Sequence, residues 1–522
     1  MARNTKIAYF NDFTGGLNLD SPRQQLTLNE SYDCLDVDFN LRGGFQQRRG
    51  VKVAGASGGS PINGGYLLGH YSLGTDMIVG VSTTQRLWTW DGSTATHVAT
   101  AISDQTDIPR GIAWGSKLYL SNCWSAGALV MRHRTTASLA AVTTLGTTFN
   151  NNYAAPAGGM MPLARLISDH AGHMWVADTS EAGTRYRSRV RWSHALQPED
   201  WASADYFDIE PDDSSDQITA IVPFKNQLLV FKRRGVWAIY GFDKDSFTVE
   251  RIGSASGAWS QEAVTTNAGV CYWFSPEGNV YAYNGQGITP VGDRITGVVR
   301  DGLVQLGADH RLQWFGDRLY VSLVNLAGTG RIMFVFDPQV GRRGAWTKYS
   351  LQPTSFCWWR RGDGTVGQMM TLYGKDHVFD HGIVTQTQDE FTSTVFTAIG
   401  GYYSTAWFSA EDTALKKQWK RLLVTSATKD PCTFEIDVYH DFNDSVIVRQ
   451  LEYTTVDPGG GSVWGAVWGA ASWGSGDAAY SFERMPSAGR SRAIRLVFSV
   501  LNNTSTWWID SFTLPFIEKT YR

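Results

Sequence analysis

The stretch RLWTWDG at residues 86–92 is a short aromatic strand that ends in an Asp-Gly pair. Close variants of it return as GVWAIYG at 235–241, NVYAYNG at 279–285 and IMFVFDP at 332–338. Internal repeats of this kind are the sequence signature of an architecture built from one supersecondary unit. The recurrence therefore indicates that the chain repeats a single β-rich element.

Alternate side chains of such a strand face opposite sides. Leu87, Thr89 and Asp91 share one face, and Trp88 and Trp90 share the other. We expect the aromatic face to fill the gap between neighbouring units, because large flat rings pack well there. The Asp-Gly pair that follows supplies the turn after the strand.

Seven units share one order: an apolar strand, a polar turn, a second strand, a loop and an aromatic closing strand. They span residues 76–92, 111–134, 166–196, 218–241, 269–285, 312–338 and 356–382. Closing strands recur about every 40 to 60 residues, the spacing of four-stranded propeller blades. The pattern predicts an all-β chain with a β-propeller of about seven blades. Six or eight blades remain alternatives, because residues 135–165 are irregular.

The chain has 522 residues, of which 43% are hydrophobic and 13% aromatic, and this length predicts two or three domains. We divide it into an N-terminal docking arm at 1–50, the propeller at 51–385 and a C-terminal β-sandwich at 386–522. Long strands with one apolar face, at 433–442, 493–500 and 507–516, indicate the sandwich. A Gly- and Trp-rich loop occupies 457–476, and the best candidate for a helix is the short stretch 412–420.

The charge balance is close to neutral, with 46 basic and 49 acidic residues and a net charge of −3. Proteins that hold DNA without sequence preference carry a basic surplus that neutralises phosphates, so tight DNA binding is not expected.

The N-terminus lacks a signal-peptide pattern, and no apolar run reaches the roughly 18 residues of a membrane span. The five cysteines are scattered and odd in number, and they predict reduced, buried side chains.

Catalytic and metal-binding motifs match the sequence only in part. His170 and His173, and His377, Asp380 and His381, have metal-like spacing on predicted turns, without further ligands nearby. The stretches 168–175 and 275–281 only approach the Asp-box of sialidase-like blades, and no nucleophile motif is present. We therefore predict that the protein is not an enzyme and has no catalytic residue, cofactor or metal site.

Several segments, taken in order, resemble a known family. They are FTGGLN at 13–18, Arg48-Arg49-Gly50, the blade at 216–241, the run from Ser254 to 295, and KKQWKRLLV at 416–424. Together these segments resemble the virion propeller proteins of tailed bacteriophages, over most of the chain. Each motif alone consists mainly of residues that many turns and strands share. The order of the motifs along the chain is therefore the stronger evidence for the resemblance.

The resemblance implies a structural tail component made in the bacterial host cytoplasm and located in the virion. In short-tailed phages, related proteins form the tail nozzle or hub, as a ring of about six copies around the DNA conduit. The expected partners are further copies of the chain in a homo-hexamer, an upstream tail adaptor ring and tail fibres. DNA would pass without specific binding, and the chain would not insert into a membrane. The alternatives are a host-surface glycan-binding or fibre-attachment module and a glycan-cleaving tail enzyme.

Three groups of side chains are candidates for interaction. An acidic segment is interpreted as a solvated loop, a lumen-facing loop or a Ca²⁺ loop, and it holds Asp208, Glu210, Asp212, Asp213 and Asp216. A basic hairpin turn is interpreted as solvated or as a contact with an acidic surface of a neighbouring subunit, and it holds Lys232, Arg233 and Arg234. Aromatic side chains of the Gly-rich loop are interpreted as locally buried, as a subunit or fibre contact, or as glycan-binding: Trp464, Trp468 and Trp473.

Overall fold

The structure is a computed structural model. It describes residues 5–54, 65–72, 76–81, 86–92, 95–101, 109–121, 129–133, 139–146, 148–153, 159–212, 215–253, 256–267, 269–305, 309–383, 386–392, 395–410, 412–428, 432–455, 479–500 and 506–519. The Trp loop with Trp464, Trp468 and Trp473 lies outside the described residues, as do Asp213 and Cys123.

Seven short strands come first along the chain. They are β1 (Lys6–Phe10), β2 (Gly16–Leu17), β3 (Glu30–Ser31), β4 (Cys34–Leu35), β5 (Val37–Phe39), β6 (Phe45–Gln47) and β7 (Val51–Val53). Their partners, apart from the β2–β3 and β5–β6 pairs, lie hundreds of residues away in the propeller and the sandwich.

Seven four-stranded antiparallel sheets follow, and they are the blades of a β-propeller. Blade 1 holds β8 (Tyr66–Ser72), β9 (Asp76–Val81), β10 (Arg86–Trp90) and β11 (Ala95–Ala101). Blade 2 holds β12 (Arg110–Trp114), β13 (Lys117–Ser121), β14 (Leu129–His133) and β15 (Leu139–Thr144). Blade 3 holds β16 (Leu163–His170), β17 (His173–Glu181), β18 (Thr184–Trp192) and β19 (Tyr206–Asp208). Blade 4 holds β20 (Ile218–Phe224), β21 (Gln227–Lys232), β22 (Val236–Tyr240) and β23 (Thr248–Gly253).

The remaining blades follow the same order. Blade 5 holds β24 (Val264–Thr266), β25 (Cys271–Phe274), β26 (Val280–Tyr283) and β27 (Ile288–Pro290). Blade 6 holds β28 (Arg311–Phe315), β29 (Arg318–Val324), β30 (Arg331–Asp337) and β31 (Ala345–Tyr349). Blade 7 holds β32 (Pro353–Arg360), β33 (Val366–Leu372) and β34 (Val378–His381), and its fourth strand is the N-terminal β7. The α-helix α1 (Gly297–Arg300) lies between blades 5 and 6.

The first strand of each blade lies innermost and contacts the first strand of the next blade, and β32 contacts β8. Strand β7 pairs with β34, so the start of the chain completes the last blade. This pairing closes the ring, because strands from both ends of the propeller segment share one sheet. The predicted β-propeller is confirmed, with seven blades.

The repeated aromatic strand is the third strand of its blade. Trp88 and Trp90 of β10 pack against blade 7, with the rings of Trp90 and Trp359 4.9 Å apart. Leu87, on the other face, packs against Leu118 of blade 2. The aromatic face fills the gap between blades, as the alternation predicts, and the opposite face is buried as well.

The turn that follows this strand needs a left-handed backbone in three blades. Gly92, Gly241 and Gly285 stand one or two positions after β10, β22 and β26, with φ of 98°, 114° and 99°. Glycine adopts this conformation at no steric cost, whereas other residues are strained in it. The glycine that ends RLWTWDG, GVWAIYG and NVYAYNG is therefore required by the turn.

The C-terminal part is a sandwich of two sheets, after a hairpin of β35 (Gln388–Thr392) and β36 (Val395–Ala398). Its strands are β37 (Gly401–Ser404), β38 (Lys416–Thr428), β39 (Thr433–His440), β40 (Arg449–Thr454), β41 (Ala479–Ser491), β42 (Ile494–Val500) and β43 (Trp507–Lys519). One sheet has the order β41-β38-β43-β6-β5 with β1 on β43, and the other has the order β4-β37-β42-β39-β40. Apolar residues of both sheets share one core, in which Phe498 and Phe512 lie 5.0 Å apart.

The first 50 residues differ from the expected docking arm. Strands β1 and β6 pair with β43, and β4 pairs with β37, so this segment is part of the sandwich. Strands β2, β4 and β5 also contact β31 of blade 6. The segment joins the propeller to the sandwich within one chain, because its alternating apolar residues are buried in both.

The helix expected at 412–420 is absent, and this region leads into the long strand β38. Trp419, Leu422 and Val424 are buried, and the register of β38 shifts between Arg421 and Leu423. Such a bulge adds a residue to the alternation and so imitates helical spacing.

The four described cysteines are free and buried, in agreement with the sequence: Cys34, Cys271, Cys357 and Cys432.

Candidate functional site

The acidic segment and the basic turn predicted from the sequence lie together at the junction of blades 3 and 4. The acidic segment connects β19 to β20, and the basic turn connects β21 to β22. Successive strands of a blade run antiparallel, so the entry to β20 and the end of β21 lie on the same face of the propeller. The two segments therefore meet, which the sequence analysis did not anticipate.

Two of the predicted interaction residues are buried inside this junction. Lys232 is 1% exposed, and its Nζ donates a hydrogen bond of 2.9 Å to the carbonyl oxygen of Glu210. Asp216 is 5% exposed, and its Oδ1 accepts a hydrogen bond of 2.9 Å from the backbone N–H of Arg233. Both side chains hold the two segments together, so neither forms a solvated surface or a direct contact with another subunit.

The other charged groups remain at the surface and are partly paired. The exposed Glu210 forms an ion pair of 3.2 Å with Arg251, and Asp208 accepts two hydrogen bonds of 2.8 Å from Arg189. The guanidinium of Arg233 lies 5.6 Å from the ring centre of Trp259. Arg234 and Asp212 are exposed. Opposite charges thus largely neutralise each other at this junction.

An arginine-rich network in blade 3 extends the junction, and the sequence analysis missed it. Strand β18 has two extra residues opposite Asp178 of β17, and Asp178 takes a left-handed backbone with φ of 55°. Its buried carboxylate accepts hydrogen bonds of 2.9 and 2.6 Å from Arg185. Burial raises the pKa of Asp178, and the hydrogen bonds from Arg185 offset only part of that effect.

The same network contains a second carboxylate held between two arginines. Glu181 accepts hydrogen bonds of 2.7 and 2.8 Å from Arg191 and one of 3.2 Å from Arg189. The guanidinium of Arg189 lies 3.9 Å from the ring centres of both Tyr186 and Tyr206. The sequence feature that could have predicted this network is the alternation TRYRSRVRW at 184–192, which places four arginines in one strand. Planar guanidinium groups suit both the paired carboxylates and the stacked rings.

A further ion pair crosses the axis of the propeller. Arg110 begins β12 of blade 2, Glu262 lies in the short turn that leads into blade 5, and their Nε and Oε1 atoms are 2.8 Å apart. Burial alone would raise the pKa of Glu262, but the charges of Arg110 and Arg311 outweigh it and lower the pKa to about 2. Blades 2 and 5 are not neighbours in the ring, so this pair spans the central channel.

The histidine pairs do not form a metal site in the part of the chain that the structure describes, where no group of three or more His, Cys, Asp or Glu side chains converges. His173 Nδ1 lies 2.6 Å from the carbonyl oxygen of Ser193. His381 is buried, with Nδ1 3.0 Å from Gln368 Oε1, and burial together with the charge of Arg48 lowers its pKa to about 3. These histidines are parts of the packed blades.

Among the described residues, no helix is long and apolar enough to cross a membrane. No protein-family model and no curated protein sequence matches the chain. Several solved structures are similar to the chain over about two thirds of its length. BamB from Moraxella catarrhalis has 11% identity and a TM-score of 0.35, over 66% of this chain and 92% of that chain.

Two further structures are similar to about the same degree. BBS1N in complex with ARL6DN has 12% identity and a TM-score of 0.37, over 65% of this chain and 99% of that chain. The Pan2 WD40 domain of Neurospora crassa has 11% identity and a TM-score of 0.36, over 63% of this chain and 92% of that chain. The similarity concerns the propeller fold.

Proposed function

We propose that this chain is a structural component of a bacteriophage tail, of the nozzle or hub type. Copies of the chain would form a ring of about six around the DNA conduit and guide or gate genome ejection. An adaptor ring upstream and tail fibres would be its partners in the virion. The ordered segments that resemble the virion propeller family suggest this function, and their placement in the fold supports it.

The observation that carries the proposal is where these segments meet. Phe13 of FTGGLN, Ile295 at the end of the blade 5 run and Trp419 of KKQWKRLLV belong to one continuous buried cluster. The cluster joins blades 5 and 6 to both sheets of the sandwich. Arg294 adds a hydrogen bond of 2.5 Å from Nη1 to the carbonyl oxygen of Gly15. Three of the resembling segments therefore help to build the junction that fixes the sandwich on the propeller, whereas the blade at 216–241 packs in other clusters.

A buried ion cluster adds to this junction. Arg48 is 2% exposed, and its guanidinium contacts Asp36 at 2.5 Å and Asp389 at 2.6 Å. Asp36 precedes β5 of the sandwich, and Asp389 lies in the hairpin between the two parts of the chain. Buried charges with several hydrogen bonds fix geometry strongly, because breaking one contact leaves another charge unpaired. A rigid two-part subunit suits a ring that must keep its shape while DNA moves past it.

The propeller's own channel would not serve as the conduit. Arg110 and Glu262 bridge it, and Arg311 lies above the ring of Tyr66 from another blade, at 5.1 Å. DNA would instead run through the opening at the centre of the ring of copies. A net charge of −3 suits a wall that does not retain DNA.

The test is the mass of the purified chain in solution by light scattering, alone and after mixing with the other tail proteins of its source particle. Rings of about six copies, in either condition, would support the proposal. Arg48→Met should reduce ring formation, because it loosens the junction, whereas Arg49→Met at the exposed neighbouring position should not. A monomer or trimer that ignores the tail proteins would overturn the proposal.

A further inference from the structure

Leu196 occupies a backbone position that suits glycine. It is the third residue of the turn His194–Gln197, which is closed by a hydrogen bond of 3.1 Å from the N–H of Gln197 to the carbonyl oxygen of His194. Its φ is 58°, the left-handed conformation that the third position of a type II turn requires. A branched apolar side chain is strained there, so the turn alone does not explain a leucine.

The side chain of Leu196 is also 76% exposed, more than any other large apolar side chain among the described residues. Phe442 offers a comparison, because it also has a left-handed backbone, with φ of 62°. Its ring packs against Trp407 at 5.1 Å, and only 37% of it is exposed. Leu196 Cδ2 lies near Gly172, where an added Cβ would be 3.5 Å from it, but most of the leucine side chain is exposed. The combination of strain and exposure makes Leu196 a candidate for contact with a molecule outside the chain.

Leu196 forms one wall of a cleft of about 350 Å³ beside blades 2 and 3. Trp114, at the end of β12, is half-buried and forms another part of the wall. The polar lining includes the ion pair of Lys117 and Glu199, and the Tyr119 hydroxyl donates a hydrogen bond of 2.8 Å to Glu199 Oε1. The cleft has the apolar walls and few placed polar groups of a small-ligand site, but it is open to solvent and would cover only part of a ligand.

We propose that this cleft binds one sugar residue of a polysaccharide. A sugar ring has an apolar C–H face, which fits Trp114 and Leu196, and hydroxyl groups that both donate and accept hydrogen bonds, which fit Lys117 and Glu199. An apolar peptide side chain would remove water from the ion pair and offer no hydrogen bond in return. The cleft itself suggests a sugar, and the choice of bacterial polysaccharides as probes rests on the proposed function.

The experiment uses the full chain on an array of bacterial O-antigen and capsular polysaccharides, followed by titration calorimetry with any polysaccharide that is retained. Leu196→Gly is the decisive variant, because glycine relieves the strained backbone and should leave the fold intact. We expect Leu196→Gly and Trp114→Ala each to weaken binding at least tenfold. Gln286→Ala is the matched control, since Gln286 lines a different cleft, between blades 4 and 5.

Four outcomes would overturn the inference. One is that the wild-type chain retains none of the polysaccharides on the array. Another is that Leu196→Gly binds a retained polysaccharide as tightly as the wild type does. The third is that binding is lost in Gln286→Ala and kept in Leu196→Gly, which would place the sugar in the other cleft. A change in assembly mass alone, with binding unchanged, would make Leu196 a subunit contact and would also count against the proposal.

Discussion

Arg110 and Glu262 form a bidentate ion pair across the propeller axis, although they are 152 residues apart and belong to opposite sides of the ring. Arg110 Nη1 also donates a hydrogen bond of 3.2 Å to the carbonyl oxygen of Arg165, at the start of blade 3. The Arg110 side chain thus connects blade 2 to blade 3 and to the turn before blade 5. The pair bridges the channel between blades on opposite sides of the ring.

The first prediction concerns this ion pair and its dependence on pH. Glu262→Gln should lower the free energy of unfolding by about 2–4 kcal/mol at pH 7, because it leaves Arg110 buried without its carboxylate. The pKa of Glu262 in the folded protein is about 2, below the 4.5 of an ordinary glutamate. The stabilisation is therefore complete above about pH 4.5 and is lost as the pH falls through 2. Urea unfolding at pH 7 and at pH 3 measures it.

The control for this prediction is Glu250→Gln, at an exposed position in blade 4. It should change the free energy of unfolding by less than about 0.5 kcal/mol. The difference between wild type and Glu262→Gln should shrink from pH 7 to pH 3, since the carboxylate begins to bind protons in the unfolded state. A difference that is equal at both pH values would show that the charge of Glu262 is not what stabilises the ring.

The second prediction concerns the clamp between propeller and sandwich. Arg48→Met should cost about 3–5 kcal/mol of stability, because Asp36 and Asp389 would then remain buried without a positive partner. We also expect faster proteolysis of the connection near residues 382–390, since Gly50 N–H and Val51 N–H bond to this segment. Thermal unfolding and limited digestion with a glutamate-specific protease, which can cleave after Glu390, measure the two effects.

Arg49→Met is the matched control for the clamp. Arg49 is exposed and makes a single hydrogen bond of 3.1 Å to the carbonyl oxygen of Gly382. Its replacement should change stability by less than about 1 kcal/mol. Equal losses in Arg48→Met and Arg49→Met would contradict the view that the buried cluster holds the two parts together.

The propeller could be predicted from the sequence because its signals are local. The third strands β10, β22 and β26 each carry their own run of large apolar residues, and the glycines that end RLWTWDG, GVWAIYG and NVYAYNG close them in the same way. These features lie within about ten residues of each other, so periodicity detects them. The spacing of the units then indicates about seven blades, although the irregular residues 135–165 leave six or eight as alternatives.

The pairings of the N-terminal strands could not be predicted in this way. Strand β7 pairs with β34, and β1 pairs with β43, across most of the chain length. Short strands such as LDVDF at 35–39 carry no local sign of which distant edge they complete. The charged junction shows the same limit, because Asp216 and Arg233 were placed in two separate loops although they share a hydrogen bond.

The third prediction compares two glycines that follow the repeated strand. Gly241 and Gly285 both have a left-handed backbone, so alanine is strained at either position. A Cβ at 241 would lie 2.6 Å from the backbone carbonyl oxygen of Ser246, whereas a Cβ at 285 would meet the flexible end of Lys225 at 3.1 Å. Gly285→Ala should therefore cost about 1–2 kcal/mol, from backbone strain alone.

Gly241→Ala should cost about 2 kcal/mol more than Gly285→Ala, because the turn at Ser246 must also move to avoid the clash. Urea unfolding followed by tryptophan fluorescence measures both variants, and Trp237 in the preceding strand β22 lies close to the affected turn. Gly362→Ala, where nothing lies within 4 Å of the added Cβ, provides the reference for an unstrained glycine. If Gly285→Ala proved the more damaging change, the close approach of Ser246 would not be what selects glycine at position 241.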